Sequence, residues 1–476
     1  MSDKILRGGD SMSNIFLAKQ DMTVGTPWKK ILYFSLPLLV GNIAQQMYST
    51  VDSVVVGQYV GDDALKAIGS SAPLVHLLMI FFIMIGTGSS IMVSQYFGAR
   101  DRENLSKSVG TAIIWTFIIG IVLMILGSFI TEPLLRLTNT PPAYIEWSKD
   151  YILIFFWGVH GLAFYNIFAG ILRGLGDSIS SLVFVLVATV LNIILDIYFV
   201  RDLHMGVAGV AIATVISQYL SAFLTFMRLR RYKDFDTGFK YLKPDAKTSK
   251  DLFRLGIPSG VMQGMFSISM LFVQNLTNQI NIADITTMVI RVDGFAMLPN
   301  FTFGIAMATF TGQNIGAGKI HRLKQGVKQC LALAIATTAS LTFLIVIYGK
   351  NIMRLFTKTE ANVELAYSMM LVLTLGYVVF AVTQVLSGVM RGAGDTMTPM
   401  WITILTNIVI RIPAAYIIAN LTKSDDWLHG KPISTFGSLL LTWIIGAFLM
   451  TIAFKRGNWK NKALVDTTVD EVAEDA

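Results

Sequence analysis

The chain has 476 residues, of which 54% are hydrophobic and only 14% charged, with a formal net charge of +8. A soluble domain carries about 25% charge, so this composition excludes a water-soluble globular protein and fits lipid as the solvent. One cysteine, Cys330, excludes a disulfide scaffold or a cysteine metal cluster, and the five histidines are scattered without metal-site spacing.

The first 28 residues are mixed and polar. They lack the basic, apolar, small-residue order of a cleaved signal, so the first apolar run is read as a retained span. Runs of about 20 residues cross a roughly 30 Å hydrocarbon core as helix. They recur at 31–56, 70–95, 108–131, 151–172, 181–200 and 206–227. After the polar stretch 228–252, six more follow at 253–277, 286–310, 326–348, 364–389, 397–420 and 433–454. Barrel strands would be about half as long and would alternate. The expected fold is all-α and polytopic: twelve transmembrane helices in two homologous six-helix bundles that face a central cavity. The N-lobe spans 31–227, an inter-lobe loop 228–252 and the C-lobe 253–454, with the segments 1–30 and 455–476 outside the bilayer.

Lysine and arginine set the orientation. With the N-terminus inside, the inner segments hold 27 of the 38 basic residues, and only Arg291 and Arg411 fall within spans. Both termini are therefore expected in the cytoplasm, across a cytoplasmic (inner) membrane. The basic charge lies in short inner loops, so a high pI does not indicate a nucleic-acid partner. The largest cluster, Arg228 to Arg254, is read as topology and linkage, with a weaker attraction to acidic headgroups.

Two phrases repeat. "LRGLGD" at 172–177 returns as "MRGAGD" at 390–395, and "QYFGARDRENLSKSV" returns as "QNIGAGKIHRLKQGV". One offset of 218 residues joins Arg173 to Arg391, Asp177 to Asp395, Gln95 to Gln313 and Gly98 to Gly316. The chain reads as a duplicated six-helix unit. An even number of spans per unit relates the halves by rotation about the membrane normal. Arg173, Asp177, Arg391 and Asp395 lie at cytoplasmic corners, where they are expected to act as hinge and cap residues.

Polar residues inside spans are costly unless they function. Asp52 lies in the outer half of the first span. Asn192 and Asp196 stand four apart on one face of the fifth, and Thr214 lies at similar depth in the sixth. If the four meet, two carboxylates with amide and hydroxyl oxygens could share a proton, or hold a small hard cation such as sodium. The second half does not repeat this set, since the offset carries Asp52 to Met270 and Asp196 to Ala414. It offers Arg291 and Asp293 in the eighth span and Asn407 and Arg411 in the eleventh. Asp293 is a candidate for the cargo or proton path, or for pairing with Arg411, and Gln263 in the seventh span is a second candidate for that path. The 23 methionines and 30 phenylalanines could line a permissive cavity, although most are read as packing residues.

The run "FSLPLLVGNIAQQMYSTVDSVVVGQYVG", the "VSQYFGAR" block, "LRGLGD", "LNIILD" and their second-half copies resemble the multidrug and toxic compound extrusion family, over about 28–456. The resemblance implies outward export of organic cations and other amphipathic compounds in exchange for sodium or protons, with no cofactor and no catalysis. It implies an N-lobe cation site at Asp52, Asn192, Asp196 and Thr214. The sodium-coupled branch carries an acid some eight residues after the proline matched by Pro258. Here Phe266 stands there, with Gln263 the nearest polar side chain, which argues against a C-lobe sodium site of that kind. The expected machine is an antiporter whose lobes rock around the cavity, one chain sufficing. Two other readings stay open: an exporter of one specific metabolite or peptide, and a flippase for lipid-linked precursors.

Overall fold

A computed structural model describes residues 19–137, 140–425 and 427–465. The outer parts of the polar termini, 1–18 and 466–476, lie outside the described residues. In lipid every backbone N–H and C=O must be satisfied within its own segment, which forces such apolar runs into helix. The helices are α1 (Pro27–Tyr59), α2 (Asp62–Gly98), α3 (Arg102–Leu137), α4 (Ile145–Trp157), α5 (Val159–Gly174), α6 (Ser178–Ile197) and α7 (Gly206–Leu229). They continue as α8 (Ala246–Ile280), α9 (Ala283–Gly316), α10 (Ile320–Arg354), α11 (Glu360–Gly392), α12 (Met397–Ile404), α13 (Arg411–Leu421) and α14 (Ile433–Arg456). Two π-helical turns interrupt this order, Tyr198–Asp202 after α6 and Leu405–Ile410 between α12 and α13.

The chain is a multi-pass membrane protein. Among the described residues, nine helical rods are long and apolar enough to cross a bilayer, and α4 with α5 makes a tenth, bent by 52°. The bend falls at Gly158, where a Cβ would come within 2.3 Å of Val215 on α7. α1 and α9 have the length, at 33 and 34 residues, but fall short in apolarity. These two carry Asn42, Gln45, Gln46 and Asp52, and Arg291, Asp293 and Asn300, so the polar candidates themselves lower the signal. Large exposed side chains such as Phe129, Leu355, Leu375 and Phe448 fit a surface that meets lipid rather than water.

The chain divides into two compact units. The first takes residues 19–25 and Leu32–Gly256, the second Thr26–Ile31 and Ile257 onward. The first unit's core joins Val55, Val56, Phe82, Tyr151, Phe155 and Val210. The second's joins Met288, Val289, Met370, Tyr377, Phe436 and Trp443. The segment after α7 is fastened to the first unit. The Asp236 N–H donates to Ser106 Oγ at 2.8 Å, and Lys19 pairs with Asp234 at 2.7 Å. The start of α8 is tied there too, with Trp115 Nε1 donating to Ser249 Oγ at 2.9 Å.

Each unit repeats the same internal fit at the 218-residue offset. A Cβ on Gly170 of α5 would meet the Gly86 carbonyl oxygen of α2 at 2.7 Å, and one on Gly388 of α11 would meet Gly304 O of α9 at 2.2 Å. One turn on, Gly174 faces Ser90 O at 2.7 Å and Gly392 faces Ala308 O at 2.2 Å. These helices approach so closely that only glycine fits. The corners repeat as well. The Asp177 N–H donates to Leu172 O at 2.8 Å and the Asp395 N–H to Met390 O at 2.9 Å, over left-handed Gly176 (φ 87°) and Gly394 (φ 96°).

Candidate functional site

In the first unit α1, α6 and α7 bring their polar residues together. Asp52 follows Tyr48 by one turn on α1. Asn192 and Asp196 share a face in the last two turns of α6, just ahead of the π turn Tyr198–Asp202. Asp52, Asn192, Asp196 and Thr214 are all buried. The Asn192 side chain bridges the acids: with its NH2 turned toward them it donates to Asp52 Oδ1 at 3.1 Å and to Asp196 Oδ2 at 3.2 Å. The two carboxyl groups also lie within hydrogen-bonding reach of each other. A hydrogen bond between two carboxyls requires a proton on one of them. Without it, two carboxylates in a low-dielectric interior need a cation beside them.

Tyr48 and Tyr151 wall this group and sit close to both acids. Tyr48 and Thr214 present their hydroxyls to one another without a well-formed hydrogen bond, and Ser217 Oγ and Gln218 Oε1 on α7 are likewise buried without a partner. Sequence reading passed over both tyrosines, although Tyr48 stands four residues before Asp52 and so shares its face. The donors available to an ion are two carboxyls, an amide and hydroxyls. Among the described residues no group of three or more His, Cys, Asp or Glu side chains gathers in metal-binding fashion. Such a set suits an exchangeable proton or a hard monovalent ion better than a resident transition metal.

The second unit gathers a different group. Asp293 of α9 faces Tyr377 of α11 and Arg411 of α13. Arg411 is buried and donates to Ser269 Oγ at 3.3 Å and to Met270 Sδ at 3.4 Å on α8. Asp293 Oδ1, the Tyr377 hydroxyl and Arg411 Nε are each buried without a well-formed hydrogen bond. Gln263 is half-buried on α8, where its carbonyl oxygen accepts from Ser267 at 3.2 Å. Nearby, Asn300 is fully buried, accepting from Thr338 at 2.7 Å and donating to Tyr377 O at 3.3 Å. Arg291 is exposed.

At the corners Asp177 accepts from the Ser180 N–H at 2.9 Å and from its hydroxyl at 2.7 Å, capping α6. Asp395 does the same for Thr398, at 3.2 Å and 2.8 Å. Asp177 holds more: it pairs with Arg228 at 3.1 Å and accepts the Tyr232 hydroxyl. Arg173 and Arg391 lie half-buried in the last turns of α5 and α11, and Arg391 Nε is buried without a partner.

A family model described as MatE matches residues 37–198 and again 258–417, one copy in each unit. "Probable multidrug resistance protein YoeA" of Bacillus subtilis is 32% identical over 440 residues, covering 90% of this chain and 95% of that protein. "Probable multidrug resistance protein NorM" of Thermotoga maritima is 22% identical, covering 92% and 94%. Among solved structures, an outward-facing multidrug resistance MATE transporter of the MOP superfamily superposes with a TM-score of 0.85 at 22% identity, covering 92% of this chain and 97% of that one. A MOP superfamily transporter from Pyrococcus furiosus matches with the same score and coverage.

Proposed function

Because the chain belongs to the multidrug and toxic compound extrusion family of transporters, we propose that it is a secondary antiporter. It exports organic cations or other amphipathic compounds in exchange for protons or sodium ions. Its twelve spans form an N-lobe at 31–227 and a C-lobe at 253–454 around a central cavity, with the loop 228–252 and both termini, 1–30 and 455–476, on the cytoplasmic side. One chain is sufficient.

The observation that carries the coupling role is the Asn192 amide bridging two buried carboxyls, Asp52 and Asp196. Acids are retained inside a membrane protein where their charge has work to do. In this reading a proton or sodium ion from outside binds at the pair and takes up one of its two charges, with the Asn192 and Thr214 oxygens as further ligands for sodium. The ion-loaded state holds cargo weakly and the ion-free state holds it firmly. Only such differential affinity can couple the two movements.

The test is efflux from liposomes containing the purified protein and a fluorescent organic cation. Proton and sodium gradients are imposed separately, on the wild type and on Asp52→Asn. Efflux driven by one gradient and lost in the variant names the ion. Wild-type vesicles that respond to neither gradient would remove the antiport reading.

A further inference from the structure

The second unit contains, at the place corresponding to the first unit's ion site, a buried arginine. The 218-residue offset does not extend to α1 and α8, whose prolines (Pro37, Pro258) and last residues (Tyr59, Ile280) stand 221 apart, which puts Val273 where α1 has Asp52 and Ser269 where it has Tyr48. On the partner helix the offset alone sets Ile410 against Asn192. The π turn Leu405–Ile410 intervenes, however, and a π turn holds one residue more than the α turn it replaces. With that residue counted, Arg411 occupies the place of Asn192. The contacts agree. In the first unit Asn192 reaches Asp52 at 3.1 Å, beside Tyr48; in the second Arg411 reaches Ser269, the counterpart of Tyr48, at 3.3 Å and Met270 at 3.4 Å. The same two helices touch in both copies, through an acid and an amide in one and through a hydroxyl, a thioether and a guanidinium in the other.

A guanidinium is charged at any physiological pH. We infer that Arg411 is a tethered cation, standing in the second unit where the first unit admits an exchangeable ion, with Asp293 as its counter-charge. The second unit thereby keeps permanently a positive charge beside its carboxylate, as the first does only when loaded. Transport is driven by ions bound in the first unit alone. This assigns Asp293 to the pairing with Arg411, one of the two readings that the sequence left open for it. The ionisable groups facing Arg411 are few: Asp293 from α9 and, beside Asp293, Tyr377 from α11. Among the described residues Arg411 meets Ser269 and Met270 of α8, and the neutral ring of Trp443 on α14 lies against Tyr377. The inference rests on the coupling role proposed for Asp52 and Asp196.

The experiment measures binding of radiolabelled tetraphenylphosphonium, a cation with no titratable group, to the purified full-length protein across a pH series and a sodium series. Wild type should show ion-dependent affinity, and Asp52→Asn with Asp196→Asn should abolish that dependence. Adding Arg411→Met should restore it, on the order of tenfold, and adding Asp293→Asn should remove it again. Arg411→Lys in place of Arg411→Met keeps a tethered charge and should restore nothing. The inference is overturned if silencing the first unit leaves an ion dependence that disappears with Asp293→Asn, an arm that leaves Arg411 intact. It is also overturned if Arg411→Met brings no Asp293-linked dependence. Wild-type binding without any ion dependence would remove the coupling reading and this one with it, and is told apart by having no first-unit response to lose.

Discussion

Replacing Gly388 by alanine tests the idea that the two units share one helix-to-helix fit. An ideal Cβ there lies 2.2 Å from Gly304 O, 3.1 Å from its carbonyl carbon and 3.2 Å from its Cα. Carbon–oxygen contacts across helices settle at ~3.3–3.6 Å, so α11 and α9 must part by about 1 Å. Every atom in the way is backbone, so no rotamer change relieves the clash. Overpacking costs about 1–3 kcal/mol, and this geometry places Gly388→Ala at the upper end. Gly170→Ala, at 2.7 Å from Gly86 O, requires a shift of about 0.6 Å and should cost less. Gly69→Ala on α2 meets nothing within 4 Å and should gain up to about 1 kcal/mol of helix propensity. Thermal unfolding of the detergent-purified variants, followed by loss of the monodisperse peak, ranks the three. A Gly388→Ala protein that melts with Gly69→Ala would refute the close-approach argument.

Asn192→Leu removes two hydrogen bonds to carboxyl groups, each worth about 1.5–3 kcal/mol. It should lower stability and abolish gradient-driven efflux, whereas Thr214→Ala should retain measurable efflux, both read in the liposome assay. Asn is as good a helix cap as Asp, so Asp395→Asn should melt near wild type. Asp177→Asn should melt lower, because it also weakens the pairing with Arg228; equal melting of the two variants would contradict this. Asp245 precedes α8 and accepts from the Thr248 hydroxyl at 2.7 Å and N–H at 2.9 Å, which hold its carboxyl below the usual range. Its contribution is fully present above the unfolded carboxyl value of about 3.9 and is lost as pH falls through the lower folded value. Asp245→Ala should cost about 1 kcal/mol in unfolding at neutral pH, and less in strong acid.

Much of this molecule is legible in its sequence because lipid leaves few choices. Apolar length fixes the helices, and the offset joining Arg173 to Arg391 anticipates the paired glycine crossings and the paired caps at Asp177 and Asp395. Depth along three spans selects Asp52, Asn192, Asp196 and Thr214, and the structure brings them together. Tyr48, Tyr151 and Tyr377 were missed for a physical reason: in an apolar run a tyrosine reads as a packing ring, and only its neighbours reveal what the hydroxyl faces. The match of Arg411 to Asn192 was hidden by the π turn before it, since a gapless offset cannot register one extra residue. The bend at Gly158 was hidden because a glycine in an apolar run carries no mark of whether the helix continues straight.

Two of the chain's three passages between the units lie inside helices; the third, between Gly25 and Thr26, precedes α1. The polar loop looks like a slack tether, yet Asp234, Asp236 and Ser249 are all fastened to the first unit, and the boundary falls at Gly256 within α8. The second helical passage, at Ile31, is inside α1. Each has a proline shortly after it, Pro258 and Pro37, where one rung of the backbone ladder is missing. In the proposed rocking mechanism these two weakened rods are where the chain would bend. On that proposal, lengthening the loop should leave transport almost untouched, while replacing Pro258 should not.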